Sequence, residues 1–192
     1  MDRSYITEKL SDLLIHDRFS GIGKYWAREV VLDYGLAHPK RVDFLQYIPK
    51  GSTYVGEIEN GTFACYEIKS CKNDVYSGHG LNFFAEENFI VTTVECYKSL
   101  IPDIQSGKLY EHIRECNDGK SIRYSFLIAV RERPEVCYPR FNSDSAVMAE
   151  LEDPSPIEEC TRLATIFVDG ARKGYRIRST TELLFCMLRS GK

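Results

Sequence analysis
Residues 62–74, TFACYEIKSCKND, put a carboxylate and an amine, Glu67 and Lys69, at the end of an apolar run that reads as a buried strand. Charge at the end of a core strand is costly unless it is paired or put to use. Residues two apart in a strand share a face, so Glu67 and Lys69 project together while Ile68 points the other way with Ala64 and Tyr66. The preceding run, RVDFLQYI, sets Asp43 between Val42 and Phe44, and one run earlier Glu29 precedes Val30, Val31 and Leu32. Three candidate strands thus each carry one acid, and the third adds a lysine.

Clustered carboxylates cannot all stay ionised in a dry site without a counter-charge. A divalent cation supplies one, and oxygen ligands of this kind suit Mg²⁺, which takes a few carboxylates, several waters and a substrate phosphate. The lysine would then orient an attacking water or stabilise charge developing on a phosphoryl centre. The tripeptide equally suits an ion pair on an exposed strand end. A second acid-x-Lys, Asp118-Gly119-Lys120, lies in NDGKS, a turn sequence. The first is set apart by its context: a buried-strand pattern, an upstream acid on its own strand and a turn between them.

The elements that must position these groups can be read along the chain. Residues 4–17 carry Ile6, Leu10, Leu13 and Leu14 on one helical stripe, with Ser4 as the expected N-cap. Gly21 and Gly23 open a loop. WAREVVLDYG, RVDFLQYI and TFACYEIK then read as an antiparallel meander, with Asn60-Gly61 as the turn before the third strand. NFIVTTV and IRYSFLIAVRE read as further strands, and ECYKSLIPDIQ as a helix despite Pro102. The acidic, proline-containing ELEDPSPIEE reads as a linker or helix entry. IEECTRLATIFVDGARKG and STTELLFCMLRSG read as two amphipathic helices, with Ser179 and Glu182 at capping-box spacing for the second. The expectation is a single α/β domain over 1–192, a sheet flanked by helices, with its motif region at 24–130 and a helical region at 150–192.

Glu29 to Asp74, about a quarter of the chain, resembles the PD-(D/E)XK nuclease superfamily, and more narrowly the MmcB-type DNA-repair proteins and related phage and prophage proteins. The matching residues are Glu29 in REVVLDYG, Asp43 in KRVDFLQY, Glu67, Lys69 and Ser70 in CYEIKS, and Asp74 in KND. The resemblance implies a restriction-endonuclease-like core and Mg²⁺-dependent hydrolysis of DNA phosphodiester bonds, with Mn²⁺ as a substitute ion. It implies Asp43, Glu67 and the Ile68 backbone carbonyl as metal ligands and Lys69 as the catalytic lysine. Glu29 would be a further acid acting through water, with Ser70 and Asp74 in support; Lys72 and His79 are candidate supporting residues from their place in the sequence alone. A fold-retaining module that binds DNA or protein without catalysis is the alternative. VYSGHGLNF departs from the tryptophan-containing helix of MmcB-type proteins, and nothing past residue 95 matches a named motif.

Other residues bear on substrate. His79 sits between glycines that permit close backbone approach, suiting either a phosphate contact or a turn. Lys24, Arg28, Lys40, Arg41 and Lys72 would form a local phosphate-binding surface. Tyr25 and Trp26 could stack on a base, although a core role suits Trp26 better. The last helix would pack on its own sheet or, as the alternative, on a second copy in a homodimer.

The net charge of −3 carries no global nucleic-acid signature, so DNA binding would need such a local patch. The start, MDRSYITEKL, lacks an apolar leader, and no apolar run approaches membrane length. The seven cysteines form no CxxC pair. A strand running through Cys65 and Cys71 would hold them ~20 Å apart, beyond disulfide reach. Histidines 16, 38, 79 and 112 are too scattered for a zinc site. Free thiols in the cytoplasm are expected.

Overall fold
The computed structural model describes residues 2–37, 39–51, 55–131, 151–168 and 173–190. These form a mixed α/β fold around one six-stranded sheet. Its strands, in chain order, are β1 (Tyr25–Val31), β2 (Arg41–Ile48), β3 (Thr62–Lys69), β4 (Glu87–Thr92), β5 (Ser125–Val130) and β6 (Arg162–Phe167). Spatial order follows chain order. β1, β2 and β3 run antiparallel, β3, β4 and β5 parallel, and β6 antiparallel to β5.

The helices are α1 (Arg3–Leu14), α2 (Lys72–Val75), α3 (Val94–Gln105), α4 (Lys108–Cys116) and α5 (Thr180–Ser190). On one face of the sheet, Leu10 and Leu14 of α1 pack with Phe19 against Phe44, Ala64, Tyr66 and Ile68. On the other, Val75, Leu100, Leu109, Ile113, Leu183 and Met187 cover Val30, Leu45, Phe63, Cys65 and Phe126. β3 and β5 are covered on both faces, which is why their sequences read as nearly unbroken apolar runs.

The three-strand antiparallel meander stands, and Trp26, half-buried, packs against the core, stacked on Phe19 at 4.9 Å. Two end signals differ from expectation. Asp2, not Ser4, caps α1: its carboxylate accepts from the Ser4 N–H at 3.3 Å, which puts Ser4 inside the first turn. At the last helix Ser179 does accept from the Glu182 N–H, but the Glu182 carboxylate turns to Arg178 rather than closing the box.

The larger correction is IEECTRLATIFVDGARKG. It is not a helix: a short turn at Ile157–Glu159 leads into β6, and residues 169–172 lie outside the described residues. Buried β5 has a free edge whose N–H and C=O groups need partners, and Leu163, Thr165 and Ile166 suit a strand beside it. That long-range demand overrides the local helical pattern. Helices α2 and α4 are further elements the sequence pattern left unread.

Among the described residues no helix is long and apolar enough to cross a membrane. α5 packs on its own sheet against β1, burying Leu183 and Met187.

Candidate functional site
The β2–β3 ladder runs from Ile48 opposite Thr62 to Phe44 opposite Tyr66 and stops there. One step further, Asp43 and Glu67 would be the next pair. β3 instead continues beside β4 to Lys69 opposite Thr92, so the sheet opens between β2 and β3. The side-chain alternation of β1 and β2 slips at the same level. Ala27 and Val30 share a face, as do Val42 and Leu45, and Glu29 between them has a left-handed φ of 52°. A cleft of about 850 Å³ occupies the opening, and Glu29, Asp43, Glu67, Ile68, Lys69 and Asp74 all line it.

Asp43 spans the gap: its Oδ2 accepts from the Ile68 N–H at 2.8 Å. A strand residue's N–H and C=O point to the same edge, so the Ile68 carbonyl also faces this opening. Glu67 is 1% and Lys69 5% exposed, which removes the reading of an ion pair on an exposed strand end. Glu67 Oε1 is buried with no hydrogen-bond partner. The Lys69 ammonium donates to the His79 carbonyl at 2.8 Å.

Burial is the main force acting on both acids. It pushes the Glu67 carboxyl well above the ordinary glutamate range, and the neighbouring Asp43 charge pushes it further. Lys69 and the main-chain N–H groups of Leu81 and Asn82, which face the carboxylate, offset this only in part. Asp43 is raised by the same desolvation, opposed by the Ile68 N–H and by Lys69 and Arg41. Two coupled, desolvated carboxyls with one lysine form a site short of positive charge.

The remaining expected residues fall into three positions. Glu29 lies at the exposed rim, paired with Arg41 at 2.6 Å. Asp74 is held by an ion pair to Arg3 and accepts from the Ser70 N–H at 3.2 Å, so Ser70 acts on the cleft only through it. His79 lines the cleft and contributes its main-chain carbonyl to Lys69. Lys72 is turned away: its ammonium pairs with Asp103 on α3 at 2.7 Å and donates to the Ser99 carbonyl. Of the proposed basic surface, Arg28, Lys40 and Arg41 line the cleft and Lys24 does not. Lys40 is paired with Asp118 at 2.6 Å, while the Arg28 guanidinium lies over the Phe44 ring.

The sequence reading missed one wall. Arg3, Thr7 and Ser11, spaced by four on α1, line the cleft opposite the strands. The signal was present as a polar i, i+4, i+8 stripe beside the apolar one. The arrangement is therefore an acidic floor with a rim of arginine and lysine, suited to a cation below and an anionic ligand above.

Among the described residues, no group of three or more His, Cys, Asp or Glu side chains is arranged to hold a metal ion. The donors available at the floor are the Asp43 and Glu67 carboxylates and the Ile68 carbonyl. That set fits Mg²⁺, which keeps several waters and shares its shell with substrate phosphate, and does not fit a closed zinc centre. Comparison of the chain with models of known protein families, with curated proteins and with solved structures gives no match.

Proposed function
We propose that the chain is a Mg²⁺-dependent nuclease with a restriction-endonuclease-like core, cleaving DNA phosphodiester bonds in the cleft between β2 and β3. The observation that carries this reading is Glu67: a fully buried carboxylate beside Asp43, with one oxygen unpartnered and both acids disfavoured as ions. A core that needed only packing would not keep two such groups together. Asp43, Glu67 and the Ile68 carbonyl would hold a divalent cation, which would supply the missing charge and a Lewis acid for the phosphoryl oxygen.

The chain's own groups then have separate roles. Asp43 and Glu67 would hold the cation as carboxylates, giving up whatever protons they carry. Lys69, fixed by the His79 carbonyl, presents an ammonium beside the acids, where it stabilises charge building on the phosphoryl oxygens. Arg3, Arg28 and Arg41 line the walls and hold the flanking phosphates, which fixes the backbone without reading sequence. DNA is the substrate suggested by the motif resemblance, and this rim suits its backbone. A phage or DNA-repair setting follows from the same resemblance.

The test is calorimetric titration with Mn²⁺, with divalent-dependent cleavage of single- and double-stranded DNA. Wild type should bind the ion and cleave at least one substrate, and Glu67→Ala should lose both. Protein that binds DNA but cleaves neither form would be the catalytically silent module. Protein that binds neither metal nor DNA would leave Glu67 and Lys69 as a buried structural pair.

A further inference from the structure
We infer that Asn117, at the end of α4, is a positioning residue for Glu67 and Lys69, acting through the main chain of residues 79–83. Glu67 and Lys69 have their roles from the nuclease reading, on which this inference rests.

The segment touches the pair almost entirely through backbone. The His79 carbonyl accepts from Lys69, and the Leu81 and Asn82 N–H groups face Glu67. Between them Gly80, at φ 80°, packs so closely that a Cβ there would lie 2.5 Å from Glu67 Oε2 and 2.7 Å from Lys69 Nζ. Both separations are well inside van der Waals contact. The backbone itself is therefore one wall of the site, and its position sets where the carboxylate and ammonium can sit.

That backbone is not at rest by local preference. Gly78 and Gly80 have positive φ, and so does Leu81, at 58°. A leucine in the left-handed region is strained and persists only where its surroundings over-determine it. Asn117 is that surrounding. Its amide nitrogen donates to the Leu81 carbonyl at 2.8 Å, and its amide oxygen accepts from the Phe83 N–H at 2.9 Å. One side chain thereby grips the segment on both sides of Asn82, as a neighbouring strand would. The same nitrogen donates to the Ile113 carbonyl at 2.8 Å, fixing the amide's orientation to the helix. Asn117 is 3% exposed, so water cannot replace these bonds. On the opposite side the Asn82 side chain donates to the Arg41 carbonyl at 2.9 Å, tying the segment to β2 just ahead of Asp43.

Neither aspartate nor glutamine can substitute for this grip. Aspartate keeps the acceptor for Phe83 but sets an oxygen against the Leu81 and Ile113 carbonyls. Glutamine carries the amide one methylene too far.

The experiment compares wild type, Asn117→Ala, Gly80→Ala and the control Leu109→Val, which trims the packing of α4 and leaves the Asn117 hydrogen bonds to the segment in place. Lys69 reactivity toward acetic anhydride is read by mass spectrometry in metal-free protein without DNA, with exposed Lys120 as internal reference. Wild type should label Lys69 at least about tenfold more slowly than Lys120, because acylation needs local opening. Asn117→Ala and Gly80→Ala should each remove most of that protection. Leu109→Val should lower the thermal midpoint and leave the protection intact. With DNA and Mg²⁺, the first two variants should lose about tenfold or more in kcat with KM changed less than about twofold. Gly80→Ala reads the same segment should Asn117→Ala fail to fold. Lys69 protection unmoved by Asn117→Ala, or by Gly80→Ala where Asn117→Ala does not fold, or lost equally in Leu109→Val, overturns the positioning role. Wild type that binds no Mn²⁺ and cleaves no DNA overturns the nuclease reading instead, and the labelling result then decides the positioning role by itself.

Discussion

Replacing Glu67 by glutamine should stabilise the metal-free protein at neutral pH, and the gain should shrink on acidification. The substitution keeps the side chain's size and removes a carboxyl that burial, reinforced by Asp43, holds well above its ordinary value of 4.5. Below that value both folded and unfolded chains hold the proton, and Glu67 costs nothing electrostatically. Above it the unfolded chain releases the proton while folded Glu67 retains it, so wild-type stability falls as pH rises until the folded carboxyl also ionises. The slope is about 1.4 kcal/mol per pH unit for one group. As pH rises above 4.5 the gap between Glu67→Gln and wild type should therefore widen, by up to roughly 1 kcal/mol per unit for as long as folded Glu67 keeps its proton. In a chain of this length that is a separation of about 2–4 °C in thermal midpoint. Lys69 keeps Asp43 as counter-charge in the variant, which limits any opposing loss. Thermal unfolding in chelator across this range measures the gap. Adding Mn²⁺ should reverse the order, since wild type gains about 2.7 kcal/mol at a hundredfold excess over Kd and the variant gains little. A variant less stable than wild type in chelator, or a gap indifferent to pH, would refute the account of Glu67 as an uncompensated acid.

Lys69→Ala should cut DNA cleavage by about 10²-fold or more while leaving Mn²⁺ affinity intact, because an ammonium stabilises charge but cannot ligate. Lys120→Ala, in the exposed turn after α4, should leave cleavage within about twofold in the same assay. Tyr66→Phe removes the buried hydroxyl that donates to Gln46 Oε1 at 2.7 Å, stranding that acceptor, and urea unfolding should show a loss of about 1–3 kcal/mol. Thiol titration of denatured, unreduced protein should find nearly all seven cysteines reactive, since no disulfide joins any two of the six among the described residues. In the native protein Cys71 should react well before Cys65, whose thiol burial pushes up, and before Cys96, pushed up to about 11.

The residues of the floor were legible because strand chemistry is local. Alternation fixes which side chains share a face, so Glu67 beside Lys69 and Ile68 opposite followed from spacing alone. The turn at Asn60-Gly61 and the apolar runs of β1 to β5 were equally local signals. β6 was not. Its residues suit a helix taken by themselves, and only the unpaired edge of β5, more than 30 residues earlier, makes them a strand.

The sequence by itself determined which groups the site holds: two acids and a lysine on adjacent strands, with glycines close behind. It could not determine that β2 and β3 part at Phe44, because the end of a ladder depends on what each strand meets next. Nor could it show that Lys72 would be drawn away to Asp103, or that the stripe of Arg3, Thr7 and Ser11 on α1 would face the opening. The burial that disfavours Glu67 as an ion was likewise beyond it. Burial and charge environment are sums over neighbours distant in the chain, and only the packed structure brings those neighbours together.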